Sequence, residues 1–452
     1  MKSERRKFLK NTGMAGITLM AGTQLAARTV GNPASSDTEA KRFSSGKFTD
    51  FHNSTMTRDW QQALQILKPS QQEIDRGLEL HRESVVFDTY GFMPRAAVDG
   101  QVIADAVNDG ASELELNDLR EDHSMTRFVD DERERGEFIK AWKASGVTCV
   151  FQNAGEESNS VKVLLKRLAR FTYTTDMMPE VVGKAINTQQ VKDAKQAGRQ
   201  VIYFTGNGVP MPLDLISLED ELRYIKIFHQ LGIRMMHLTY NRRNLIGDGC
   251  GEETDAGLSD FGREVVREMN RVGVLIDVAH SGWHTGLDAA RLSEKPMVAS
   301  HTTVAELHHH IRSKPNNLIR AIADTGGYIG ICCIPRFLGS SGDIKSLMGH
   351  IDYVVRHFGP DYVGIGTDVA YSSSFSGEEN KKIPSYRRSR TRWEALWPAD
   401  PFKTTPEMNQ SLAWTNWPLF TVGLVQLGYS DEIIQKIIGG NAMRVLDQVA
   451  IH

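Results

Sequence analysis

The sequence predicts an α/β protein built as a TIM-like (β/α)8 barrel, and three observations carry that prediction. Short runs rich in β-branched and apolar residues recur at 84–89, 147–152, 200–205, 233–240, 273–280, 296–301, 327–333 and 362–368. Segments of helical periodicity lie between most of them, clearest at 214–230, 260–271, 315–324 and 343–357. Polar side chains gather at the C-terminal tips of the runs, which in such a barrel face one mouth. Eight strands alternating with helices close into a barrel more readily than they form an open sheet. No glycine-rich phosphate loop follows an early strand, which weighs against a doubly wound nucleotide-binding sheet.

Taken in order, the chain opens on a targeting segment. Glu4-Arg5-Arg6-Lys7-Phe8-Leu9-Lys10 matches the twin-arginine export pattern, and the weakly apolar stretch 13–22 is too short to span a bilayer. Residues 1–27 read as the signal peptide, with cleavage near Ala27; their loss takes the formal charge from −3 to about −7. No cysteine follows the apolar stretch, so no stable membrane anchor is expected after cleavage. The expected destination is the periplasm of a bacterium, reached already folded through the twin-arginine export machinery. Residues 28–69 read as a polar linker or N-terminal extension, Ser-rich over about 30–58, and 70–452 as the barrel, opening on a helical pattern at 70–82.

Composition bounds the rest. With 452 residues, 40% hydrophobic and 24% charged, the chain can bury a large core. A net charge of −3 gives no footprint for nucleic acid. Of the four cysteines, Cys332 and Cys333 sit in an apolar run and read as packing, whereas Cys149 and Cys250 could pair.

The tips of the eight runs place the candidate site. Asp88 and Thr89 end the first, Thr205 the third, Tyr240 the fourth, His280 the fifth, His301 the sixth and Asp368 the eighth. Neighbouring strands lie ~4.8 Å apart, so His280 and His301 can converge on one ion or one substrate oxygen. Two long loops, 91–145 after strand one and 369–412 after strand eight, would cover the mouth. The second carries Tyr371, Tyr386, Arg387, Arg388, Arg390, Arg392, Trp393 and Trp397, a content suited to a lid that meets substrate. His308-His309-His310 reads as an exposed turn.

Several long stretches then carry a resemblance. Leu238-Thr239-Tyr240-Asn241-Arg242-Arg243-Asn244-Leu245-Ile246-Gly247-Asp248-Gly249-Cys250 is followed by Asp255-Ala256-Gly257-Leu258-Ser259-Asp260-Phe261-Gly262, the two histidine-ended strands, and Gly364-Ile365-Gly366-Thr367-Asp368. With the closing Gly439-Gly440-Asn441-Ala442-Met443-Arg444-Val445, this order resembles the membrane (renal) dipeptidase family of zinc peptidases, most strongly over about 230–370 and in register from about 80. The resemblance implies a barrel holding two zinc ions bridged by a glutamate and a hydroxide that attacks a dipeptide; two cations acidify the shared water and polarise the carbonyl. It places His280 and His301 on the two histidine ligands of one zinc. It places Arg312 on the arginine that grips the substrate carboxylate, and Asp368 on the aspartate that meets the amino end.

The other half of the family's site does not match. The family's Asp-x-His-x-Asp falls on Asp88-Thr89-Tyr90-Gly91-Phe92, so two ligands become Tyr90 and Phe92. Thr205 stands where the bridging glutamate should end strand three, with no Glu or Asp in 200–212, and Tyr240 replaces a histidine that polarises the substrate in many members. A two-zinc centre is therefore not expected. One zinc ion held by His280 and His301 is, completed by Asp368, Asp88 or water. The other expectation is a metal-free cluster of Tyr90, Tyr240, His280, His301 and Asp368 that moves protons.

Three functions follow as expectations. The first is a divergent periplasmic enzyme acting on a small peptide or peptide-derived metabolite; exported relatives associated with maturation of peptide siderophores such as pyoverdine lend it plausibility by resemblance. The second is a working zinc-dependent dipeptidase with an unconventional metal set. The third is a non-catalytic periplasmic peptide-binding protein.

Overall fold

The computed structural model describes residues 47–155, 160–386 and 396–451. The expected signal 1–27, residues 28–46 of the extension, and Arg387, Arg388, Arg390, Arg392 and Trp393 of the second loop lie outside the described residues.

Among the described residues there are ten strands: β1 (Phe87–Gly91), β2 (Cys149–Asn153), β3 (Val182–Lys184), β4 (Gln200–Gly206), β5 (Ile233–His237), β6 (Leu275–Asp277), β7 (Val298–Val304), β8 (Ser313–Lys314), β9 (Tyr328–Ile331) and β10 (Val363–Ile365). Eight of them run parallel in the order β1-β2-β4-β5-β6-β7-β9-β10, while β3 pairs with β4 and β8 with β7. Each expected run overlaps one of the eight. A strand covered on both faces must be apolar throughout, which is why these segments read as continuous runs. The short β3 and β8 carry no such signal. The four clearest expected helices occur as Leu218–Gln230, Asp260–Val272, Asn316–Asp324 and Ile344–Phe358.

The sheet curls until its ends meet, and a side chain makes much of the closure. Asp368 N donates to Tyr90 O at 2.9 Å. The Asp88 carboxylate in β1, fully buried, accepts Thr367 N at 2.9 Å, Thr367 Oγ1 at 2.6 Å and Trp414 Nε1 at 3.0 Å. The result is a nearly closed parallel eight-stranded barrel. Its interior is filled by side chains including Phe87, Phe151, Tyr203, Met235, Leu275 and Tyr328, all buried.

Three expectations change on this scaffold. The segment expected to be a polar extension ends in a helix, Ser54–Leu67, capped by Asn53; Met56, Trp60, Ala63 and Leu67 bury against the main core at helical spacing. The first long loop is helical: Gly100–Asn108, Glu113–Asp130 and Glu132–Ser145 start on Asp99, Ser112 and Asp131, whose side chains accept the first free N–H groups. Arg167 and Arg170 of the helix Val161–Met177 pair with Asp118, Glu121 and Asp122 and tie this layer to the barrel. Cys149 and Cys250 are both free and buried, so they do not pair.

Replacing Asp88 by Ala leaves buried donors on Thr367 and Trp414 without an acceptor, a loss of about 3–5 kcal/mol at 1–3 kcal/mol per orphaned group. Denaturant unfolding should show a lowered midpoint at unchanged slope, with Thr367→Val costing less. A wild-type midpoint for Asp88→Ala would show that closure does not depend on the carboxylate.

Candidate active site

Three of the expected site residues stand three positions beyond a strand end: Tyr240 after β5, His280 after β6 and Asp368 after β10. His301 lies within β7 and Tyr90 within β1. The two histidines face each other, with His280 Nε2 and His301 Nε2 3.0 Å apart. His280 Nδ1 lies 2.8 Å from Asn241 Oδ1, an oxygen that only accepts. His301 Nδ1 lies 2.8 Å from Ser300 Oγ, whose own hydrogen goes to Asp277 Oδ2. Each ring therefore carries its hydrogen on Nδ1, and two Nε2 lone pairs converge on one point. Burial, then the positive charge of Arg312, holds both imidazoles well below their ordinary pKa, so the rings are neutral.

Aromatic rings clamp the pair. Tyr90 stacks on His301 at 3.8 Å and Tyr240 on His280 at 4.2 Å between ring centres. The Tyr90 hydroxyl donates to Asn207 Oδ1 at 2.6 Å, and Tyr90 lines the cavity.

Beneath lies a partner that the sequence reading missed. His237, at the end of β5, is fully buried with Nε2 2.5 Å from Asp277 Oδ2. Burial alone would push Asp277 up; the imidazole of His237 and the two hydrogen bonds from Ser300 offset it and leave the carboxyl below its ordinary range. Among the described residues, His237, Asp277 and His301 form the group whose ligand atoms lie within 4.8 Å of one another. A histidine inside the run 233–240 gave no signal, because its tip reads as Tyr240.

Asp88 is committed to the barrel seam, its carboxyl pushed up to about 7 by burial, and is not available to complete a metal shell. Thr205 is buried in β4 with a hydroxyl that finds no hydrogen-bond partner. Phe92 packs its edge on Tyr90 and offers only carbon. The two converging Nε2 atoms of His280 and His301 suit a single cation, and His301 also belongs to the converging group with His237 and Asp277. Arg312 is fully buried; Nη1 donates to Ala279 O and Nη2 to His301 O, the latter at 3.0 Å, so part of the fork expected for substrate holds the histidine-bearing backbone instead. Asp368 adopts a left-handed φ of 56°, and burial pushes its carboxyl up to about 6 against the pull of Arg312 and His237.

A cavity of about 580 Å³ opens above, with Tyr240, His280, Arg312 and Asp368 on its lining beside Arg95 and Trp397. Of the second loop's residues, Trp397 lines the cavity, Tyr386 receives a hydrogen bond from Arg120, and Tyr371 is tied to Glu137 away from the chemistry. Only His309 of the histidine triplet is fully exposed; His310 is half-buried with Nε2 3.5 Å from Asp400 Oδ2, so the turn packs beside the mouth.

A model of the membrane dipeptidase family, peptidase family M19, matches residues 74–385. The dipeptidase tcpJ of Claviceps purpurea is 28% identical over 241 residues, 52% of this chain and 49% of that protein, so the chain spans about half the length of this curated relative. An amidohydrolase structure from Pseudomonas aeruginosa shares 25% identity at a TM-score of 0.59, covering 82% of this chain and 98% of that one. The probable dipeptidase PvdM from the same organism shares the fold at a TM-score of 0.58 with 19% identity, covering 84% and 98%.

Asn241→Leu removes the acceptor that fixes the His280 tautomer. Loss of such a partner weakens metal binding about 10–100-fold, measurable by competition with a chromophoric chelator for zinc. Unchanged zinc affinity with an intact fold would rule out the tautomer assignment.

Proposed function

Because the chain belongs to the membrane dipeptidase family of hydrolases, we propose that it is an exported enzyme of the periplasm that acts on a small peptide or peptide-derived metabolite with at most one metal ion. The observation that carries this reading is the pair of Nε2 lone pairs held 3.0 Å apart at His280 and His301, with no carboxylate at Tyr90, Phe92 or Thr205 to build a second metal position. A zinc ion bound there would supply Lewis acidity and an acidified water.

The chain's own groups supply the rest. His280 and His301 present lone pairs whose direction is set by Asn241 and Ser300. Asp368, with its carboxyl near 6, takes or returns a proton at neutral pH or holds a substrate ammonium group. The Arg312 side chain, with an unpartnered Nε, fixes the floor and offers positive charge to a substrate carboxylate. A metal-free variant of the same reading takes up one proton from solvent or substrate between the two Nε2 atoms, which stand at hydrogen-bond distance, 3.0 Å.

Metal analysis of protein purified from its native compartment tests this directly. Zero or one zinc per chain is expected, and His280→Ala and His301→Ala should abolish whatever is bound; two zinc per chain would sink the reading. Rapid chelator-sensitive hydrolysis of a panel of L,L and L,D dipeptides would favour an ordinary zinc dipeptidase. Ligand binding without turnover, unaffected by His280→Ala, would favour a binding protein. For any peptide that is turned over, kcat/KM should fall as pH drops through about 6, because Asp368 must be ionised to accept a proton. Asp368→Asn should remove that limb; a limb unmoved by it would assign the titration to another group.

A further inference from the structure

Resting on the reading of the cavity as the substrate site, we propose that its substrate carries a second anionic group, such as an acidic side chain, received by Arg95 and Arg336. Both arginines line the cavity. Neither has an ion-pair partner among the described residues, whereas Arg167 and Arg170 on the neighbouring wall are matched by Asp118, Glu121 and Asp122. With Glu121 engaged in that way, Asp368 is the one acid left on the described lining to balance Arg95, Arg120, Arg336 and Arg312. A half-buried guanidinium without a carboxylate is costly, and a ligand anion is the natural source of the missing charge.

Both groups are also held ready. Arg95 lies with its guanidinium carbon 4.5 Å from the centre of the Phe92 ring; its backbone is fixed by Arg95 N to Tyr371 O at 2.8 Å and Ser373 N to Arg95 O at 2.9 Å. Arg336, in the turn of helix after β9, lies 5.1 Å from the Phe337 ring and 5.3 Å from Trp397. An aromatic face orients the planar fork and leaves its N–H edges free for a carboxylate. Phe92 stands where the resemblance implies an acidic metal ligand, so the change that removed a metal position also installed the platform under Arg95.

Calorimetric titration of the full chain with Gly-Gly, Gly-Glu, Glu-Glu and Gly-Lys tests the proposal. Glu-Glu should bind about tenfold or more tighter than Gly-Gly, as expected for a charge-assisted pair, and Gly-Lys more weakly than either. Raising the salt should shrink the advantage. Arg95→Gln and Arg336→Gln should each remove most of the Glu-Glu advantage while leaving Gly-Gly binding in place, which also reports that the variants are folded. Equal affinities across the four peptides, a preference that survives both substitutions, or no binding by any of them would overturn it. The metal content decides the reading of the centre separately, since the charge preference is scored by binding whether zinc is present or not.

Discussion

The barrel closes on a buried carboxylate. Asp88 joins the first strand to the loop after the last and to Trp414 far along the chain, and the site depends on that closure. Tyr90 and Phe92 follow Asp88 on one side of the seam, and Asp368 follows Thr367 on the other. A seam that gaped would separate the aromatic wall from the acid that faces it. Burial raises the carboxyl to about 7, so the acceptor sits in a dry environment in which each of its hydrogen bonds counts for more than it would in water.

Around that seam the chemistry is layered. The cavity meets His280, Tyr240 and Asp368; beneath them, Asn241, Ser300 and Asp277 decide where each imidazole carries its hydrogen; beneath those, His237 Nε2 packs against the Asp277 carboxylate. Two facing lone pairs are a demanding arrangement to hold in a dry interior, and an uncharged pair invites a cation or a proton between its nitrogens. Where the family resemblance implies carboxylates for a second metal, the chain has hydrocarbon, a phenol and a lone hydroxyl. Those positions therefore place no negative charge beside the arginines of the cavity wall.

The barrel was legible because strands buried on both faces read as unbroken apolar runs, and His280 and His301 were legible because they end two of those runs. Asp88 looked like a candidate ligand for the same reason. Its actual role turns on Trp414, 326 residues away, and no local pattern reports a contact at that distance. His237 and Asp277 were invisible because each closes a strand whose apparent tip lies three residues further on, in the loop. The helix Ser54–Leu67 was masked by its polar majority: its few apolar positions fall at helical spacing inside a segment whose composition reads as linker.

The left-handed backbone at Asp368 narrows what evolution or engineering can place there. At a φ of 56°, asparagine and glycine are the residues that share aspartate's tolerance, whereas glutamate would strain the turn as well as move its carboxyl by a methylene. Chemical need and backbone shape therefore filter the same position independently. Lineages that abandon the acid at 368 have an open route to asparagine or glycine, and those that keep it are held to aspartate.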